Sequence, residues 1–136
     1  MSDNFTGGCA CAAIRYEIAA DPFVMLDCQC RDCQRTTGTG HCCYMIFDRA
    51  DVTMSGAGRG YETRAENGNP SNRYFCETCG SQVYGSGPPD DPRLSIYAGT
   101  LDDPSAFRPT DAIFTRSRHE WDRSALALEE CEALPG

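Results

Sequence analysis

The stretch Gly7-Gly8-Cys9-Ala10-Cys11-Ala12-Ala13-Ile14-Arg15-Tyr16-Glu17-Ile18 joins two signals that together set the fold. Ile14, Tyr16 and Ile18 alternate with Arg15 and Glu17, the period of a strand with one face buried. The cysteine pair before it has metal-ligand spacing, yet two sulfurs cannot close a tetrahedral site. The segment therefore reads as a strand whose leading turn needs a partner pair. Cys76-Glu77-Thr78-Cys79-Gly80 has the complementary form. Two-residue spacing lets both thiolates of a tight turn face one ion about 2.3 Å from each sulfur, and Gly80 tolerates the left-handed backbone such a turn needs. A metal joining Cys9 and Cys11 to Cys76 and Cys79 would clamp distant parts of the chain and contribute to folding itself.

Working outward, period-two patterning continues. Strands are expected at Phe23 to Asp27, Cys42 to Phe47, Asp51 to Met54, Gly60 to Arg64, Arg73 to Phe75, Gln82 to Tyr84, Arg93 to Ala98 and Ala112 to Thr115. The separators carry turn chemistry, notably Gly56-Ala57-Gly58, Asn67-Gly68-Asn69-Pro70, Gly87-Pro88-Pro89-Asp90 and Asp102-Asp103-Pro104. Only Arg31 to Thr37, closed by Gly38, and Ser124 to Leu134 have helical character. The pattern predicts an all-β protein with one or two short helices. No linker or repeat divides it, and residues 1–136 read as a single zinc-binding domain.

A third cluster, Cys28-Gln29-Cys30-Arg31-Asp32-Cys33, places three thiolates within six residues, able to converge on one ion and leave its fourth position open. Seven clustered cysteines thus divide into a closed site of four and an open site of three. Closed sites are usually structural and open ones catalytic. All-sulfur ligation also suits iron, but iron–sulfur clusters mostly take four protein ligands, one more than the trio supplies. Packing alone does not explain three clusters at ligand spacing, so two metal sites are expected. Cys42 and Cys43 are strand neighbours pointing to opposite faces, and Cys131 stands alone.

Composition narrows the function. At 136 residues a hydrophobic core can bury roughly 68–70% of the unfolded surface, so the 10 cysteines are not needed as staples. Acidic residues number 20 against 12 basic ones, all of them Arg, for a net charge of −8 and a pI near 4.6. Scattered arginines on an acidic surface lack the basic patch that nucleic-acid binding requires. The longest apolar run, Cys42 to Phe47, is strand-sized, far below the ~20 residues of a membrane span. Residues 1–10 have no secretory pattern, so a reducing cytoplasm, where clustered cysteines bind metals rather than pair, is the expected location.

Further motifs agree in order and spacing. Gly7-Gly8-Cys9-Ala10-Cys11 with Ile14-Arg15-Tyr16, then Cys28 to Gly38, then Phe75-Cys76-Glu77-Thr78-Cys79-Gly80-Ser81, then Ala98-Gly99-Thr100-Leu101-Asp102-Asp103-Pro104, then Trp121, together resemble the glutathione-dependent formaldehyde-activating enzyme family over almost the whole chain. The resemblance implies a compact multi-sheet β-tent-like fold, a structural zinc on Cys9, Cys11, Cys76 and Cys79, and a catalytic or substrate-linked zinc on Cys28, Cys30 and Cys33. The chain departs from the pattern at Gln29, where many members have His, at Ala12, where Gly is common, and at Asp111-Ala112, where an Ala-His pair is frequent. It is also shorter than the founding enzymes. Between two ligands spaced by one in extended chain, Gln29 should face away from the metal.

The open site's chemistry can be argued independently. Three thiolates on a dication leave a net negative charge, which weakens activation of water; zinc hydrolases use neutral imidazoles instead. An incoming thiol fits better, its thiolate stabilised at neutral pH while its sulfur stays nucleophilic. Glutathione is such a thiol, and adding it to formaldehyde is the carbon–sulfur lyase-type reaction the resemblance implies. Its carboxylates call for guanidinium partners, for which Arg31 and Arg35 are nearest in sequence. His41 is a candidate fourth ligand or proton carrier. Trp121, Tyr16, Tyr44 and Tyr97 are expected as core anchors. Two other readings stand beside the enzyme: a non-enzymatic binding module with both zincs structural, and a redox thiol centre. A dimer is compatible with all three.

Overall fold

The computed structural model describes residues 4–122 and 128–133. Ten strands are present there: β1 (Phe5–Gly8), β2 (Arg15–Ile18), β3 (Val24–Cys28), β4 (Cys42–Asp48), β5 (Val52–Ser55), β6 (Arg59–Arg64), β7 (Pro70–Phe75), β8 (Gln82–Ser86), β9 (Arg93–Tyr97) and β10 (Asp111–Ile113). A single α-helix, α1 (Arg31–Thr37), follows β3, and short 3₁₀ turns fill several connections. The strands form two sheets, β1-β2-β5 and β10-β3-β4-β9-β8-β7-β6. Every pairing is antiparallel except that of β10 with β3.

The all-β expectation holds, and the differences have local causes. Unforeseen β1 lacks alternation because Gly7 and Gly8 occupy half of it, and a side chain at Gly7 cannot fit: a Cβ there would lie 2.3 Å from both the Tyr16 hydroxyl and the Thr100 carbonyl. β7 begins at Pro70, earlier than expected, since a proline without an N–H is tolerated as the first residue of a strand. β10 ends at Ile113 because Phe114 adopts a left-handed φ of 56°. Of the helix expected over Ser124 to Leu134, residues 128–133 are irregular and the remainder lies outside the described residues. α1 matches its expected span, with Gly38 closing it at φ 74°.

Strand alternation gives the larger sheet two distinct faces. On one, Met45, Phe47, Leu94, Ile96 and Val83 pack against Phe5, Ile14, Tyr16 and Ile18 of the smaller sheet, with Cys9 and Cys76 at the margin. Complete burial of Phe47, Ile14, Ile18 or Ile96 is worth about 1.5–3 kcal/mol each. On the other face Leu26, Cys28, Cys33 and Cys42 form a second cluster beneath α1, flanked by Tyr44, Ile46, Tyr97 and Ile113. The two sulfur sites are thereby assigned to different cores. No helix among the described residues is long and apolar enough to cross a membrane.

Candidate metal centres

The tetrad assembles from two turns that the fold brings together. The four sulfurs of Cys9, Cys11, Cys76 and Cys79 lie within 4.8 Å of one another, with 3.7 Å between Cys9 and Cys11 and between Cys11 and Cys76. Four sulfurs 2.3 Å from a central zinc would stand about 3.8 Å apart, whereas a disulfide needs about 2.05 Å. The donor set therefore fits a tetrahedral metal, and none of the ten cysteines is in a disulfide. In the first turn the Ile14 amide donates to Cys9 Sγ at 3.2 Å, and Ala12 takes a left-handed φ of 66°. That φ explains why glycine suits position 12. In the second, Gly80 at φ 77° allows its amide to reach the Cys76 carbonyl at 2.8 Å. Ser81 couples the turns, its Oγ accepting from the Ala10 amide at 3.0 Å and lying 3.2 Å from Cys79 Sγ. The Ser81 hydroxyl, then the Ser81 and Cys11 amides, hold the Cys79 thiol down to about 5.

The trio is local and lies on the other face. Cys28 ends β3, Cys30 is the N-cap of α1, and Cys33 sits in its first turn, all three sulfurs within 4.8 Å. Cys30 Sγ accepts from the Cys33 amide at 3.3 Å, which closes the turn around the sulfurs. Gln34 secures it from behind, donating through Nε2 to the Gln29 and Ser117 carbonyls, both at 2.9 Å. Gln29 is 1% exposed and its Oε1 accepts from Arg118 Nε at 3.1 Å. Among the described residues no fourth His, Cys, Asp or Glu atom joins this set. Hydrogen bonds from Cys28 and Cys33 hold the Cys30 thiol down, to about 2, while hydrogen bonds with Cys30 and Cys33, then burial, push Cys28 up. Three sulfurs so placed suit a divalent metal, whose charge would stabilise their thiolate forms.

Arg73 completes the trio's surroundings and was not apparent from sequence. It lies on β7, 40 residues from Cys33, is 9% exposed, and brings Nη2 to 3.8 Å from Cys33 Sγ while Nη1 donates to Thr63 Oγ1 at 3.1 Å. Its sequence signal is an Arg on a strand between Asn72 and Tyr74, which reads as a solvated charge. Cys33, Tyr44, Asn72, Arg73, Ser95 and Tyr97 line a cavity of about 80 Å³, to which Cys33 alone of the trio contributes. Tyr44 and Tyr97 meet edge to face at 6.4 Å, so these expected core anchors also bound the site.

The remaining candidates are distributed differently. Arg31 and Arg35 are exposed on α1, and Arg31 donates to Gln34 Oε1. His41 stands apart from the trio: its Nδ1 bonds the Asp122 carboxylate, 2.7 Å from Oδ2, and a ring nitrogen lies within 4.8 Å of Asp27 and Cys43 ligand atoms. Burial, then Asp27 and Asp122 nearby, push the Cys43 thiol up to about 12. Cys42 faces the trio and bonds Cys33 without joining the three-sulfur set. Trp121 is no core anchor: it is 59% exposed and stacks on His119 at 4.9 Å. Cys131 is exposed.

Comparisons with known proteins agree with this geometry. A search of curated proteins finds no match. Among solved structures, the crystal structure of a Rhodobacter sphaeroides protein, a structural-genomics target, is similar in fold, with a TM-score of 0.56 at 18% identity over 79% of this chain and 98% of that one. The family model described as glutathione-dependent formaldehyde-activating enzyme matches residues 4–117, which contain both sulfur clusters. With most of its length matched and both clusters assembled, this chain belongs to the glutathione-dependent formaldehyde-activating enzyme family.

Proposed function

We propose that the protein is a zinc-dependent carbon–sulfur lyase of the S-(hydroxymethyl)glutathione synthase type, joining glutathione or a related thiol to formaldehyde or a related small electrophile. The observation that supports it is the three-sulfur set of Cys28, Cys30 and Cys33, with no fourth ligand atom within 4.8 Å of all three sulfurs among the described residues. Two zinc ions per chain are proposed, a structural one on the tetrad and one on the trio. A zinc held by the trio would lower the pKa of an incoming thiol and fix its sulfur at the open position.

The protein's own groups account for the rest. Arg73 supplies positive charge beside Cys33, in a buried setting where a guanidinium holds a thiolate more firmly than in water. Burial pushes the Tyr97 phenol well above its ordinary range, so Tyr97 keeps its proton and can donate a hydrogen bond to the aldehyde oxygen as charge develops there. In the reaction the sulfur–carbon bond forms, the carbonyl π bond opens, and the proton lost by the thiol ends on the new hydroxyl. A cavity of about 80 Å³ admits a one-carbon electrophile and excludes the body of the tripeptide. Glutathione therefore lies mainly outside it, where Arg31 and Arg35 offer guanidiniums to its carboxylates. We place the reaction in the cytoplasm, where such thiols stay reduced.

The test is exchange NMR of glutathione with labelled formaldehyde, comparing zinc-loaded protein and a Cys30→Ser variant with the spontaneous rate. Acceleration that disappears in the variant, with the fold intact, is the expected result. No acceleration by the parent protein would favour a binding module with both zincs structural.

A further inference from the structure

β3 and β4 carry two adjacent register pairs with opposite orientations. Cys28 pairs with Cys42 and faces α1 and the trio; Asp27 pairs with Cys43 and faces the other way. Beyond Cys43, His41 turns its ring toward that second face. Its Nδ1 bonds Asp122, whose side chain is only 10% exposed. Gly40 makes this approach possible: a Cβ there would lie 2.3 Å from the Asp122 carboxyl carbon. Asp27 Oδ1 is buried without any hydrogen-bond partner. The Asp27 carboxylate bonds the Cys43 thiol, and a buried oxygen left without a partner beside it is a donor atom open to a ligand.

We propose that Asp27, His41 and Cys43 form a third metal site, distinct from the two sulfur clusters, for a divalent ion of borderline softness such as zinc. One oxygen, one imidazole nitrogen and one sulfur lie within 4.8 Å of one another. A thiolate, a carboxylate and a neutral imidazole balance a dication, and this mixed set favours zinc-like ions over magnesium or calcium. Asp122 is a positioning residue: with Nδ1–H donating to it, the imidazole presents Nε2 as a lone-pair donor, the usual support for a metal-bound histidine. Sheet and pleat separate this ion from the trio, although His41 also borders a cleft of about 420 Å³ together with Cys42, Thr36, Thr37 and Tyr97. The fourth position would open toward solvent there.

Cadmium NMR of the cadmium-saturated full chain tests the proposal, because a site with one sulfur resonates well apart from sites with three or four. A resonance of the one-sulfur class is expected, together with three ions per chain by native mass spectrometry. Cys43→Ser and His41→Asn should each remove that resonance and one ion, leaving the sulfur-rich signals as the internal check on folding. Asp122→Asn should weaken the site roughly 10- to 100-fold while retaining it, and Cys131→Ser should change nothing. Absence of the one-sulfur resonance at saturation, or its survival in both Cys43→Ser and His41→Asn, would overturn the assignment.

Discussion

The tetrad and the trio use the same donor atom in the same chain, yet their supports differ in kind. The tetrad draws on turns whose cysteines are 65 residues apart and is joined by Ser81, so any ion there ties β1 and β2 to β7 and β8. The trio comes from six consecutive residues, is backed by Gln34, and takes its distant support from single side chains and carbonyls such as the Arg73 guanidinium and the Ser117 carbonyl. A site that closes a long loop stabilises the fold, while one assembled locally can leave a coordination position for a substrate. Sequence separation of the ligands, rather than their number alone, distinguishes the two tasks.

The largest effects should follow from attacking the tetrad. Cys76→Ser, at a 2% exposed sulfur, is expected to abolish cooperative thermal unfolding followed by circular dichroism, because structural zinc supplies folding free energy on the order of 10 kcal/mol. Cys30→Ser should keep a cooperative transition and lose catalysis, with kcat/KM for thiol–aldehyde addition falling at least ~100-fold, as befits loss of a group acting at the reacting atoms. Equal loss of stability in the two variants would erase the distinction between the sites.

Arg73 sharpens the comparison, since it serves only the trio. Hydrogen bonds to charged groups are worth about 1.5–3 kcal/mol, so Arg73→Met should raise KM for the thiol by roughly 10- to 150-fold, and Arg73→Lys by less. Steady-state kinetics with varied glutathione will separate this from an effect on kcat. The smallest effect belongs to the tetrad's first turn. Ala12 carries a left-handed φ that costs a non-glycine residue about 1–2 kcal/mol, partly offset by the flexibility that glycine adds to the unfolded chain. Ala12→Gly should therefore stabilise the zinc-loaded protein by roughly 0.5–1 kcal/mol in denaturant titration and leave activity unchanged.

Both sulfur clusters were legible from spacing because metal chemistry fixes which short intervals work, and the trio's helix was legible over Arg31 to Thr37 because its terminator, Gly38, is local, while its cap, Cys30, emerged only in the structure. β2 showed clear alternation, since one of its faces lies on the main core, whereas β4 read as a strand-sized apolar run because both of its faces are packed. β1 did neither, because Gly7 is required by contacts with Tyr16 and Thr100, which lie far along the chain. Arg73 was hidden for the same reason: its burial beside Cys33 follows from the order of strands in the large sheet, which no local pattern encodes. His41 was noticed as a ligand type, but its neighbours Asp27, Cys43 and Asp122 come together only through β3–β4 register and the approach of a distant turn.

The most direct measurement is the visible absorption spectrum of the cobalt-substituted protein during titration with glutathione. The open-trio account predicts that added thiol alters the thiolate-to-cobalt and ligand-field bands with saturable binding, and that Cys30→Ser removes this response while the tetrad's bands persist. A spectrum unmoved by glutathione, or a response that survives in Cys30→Ser, would contradict it.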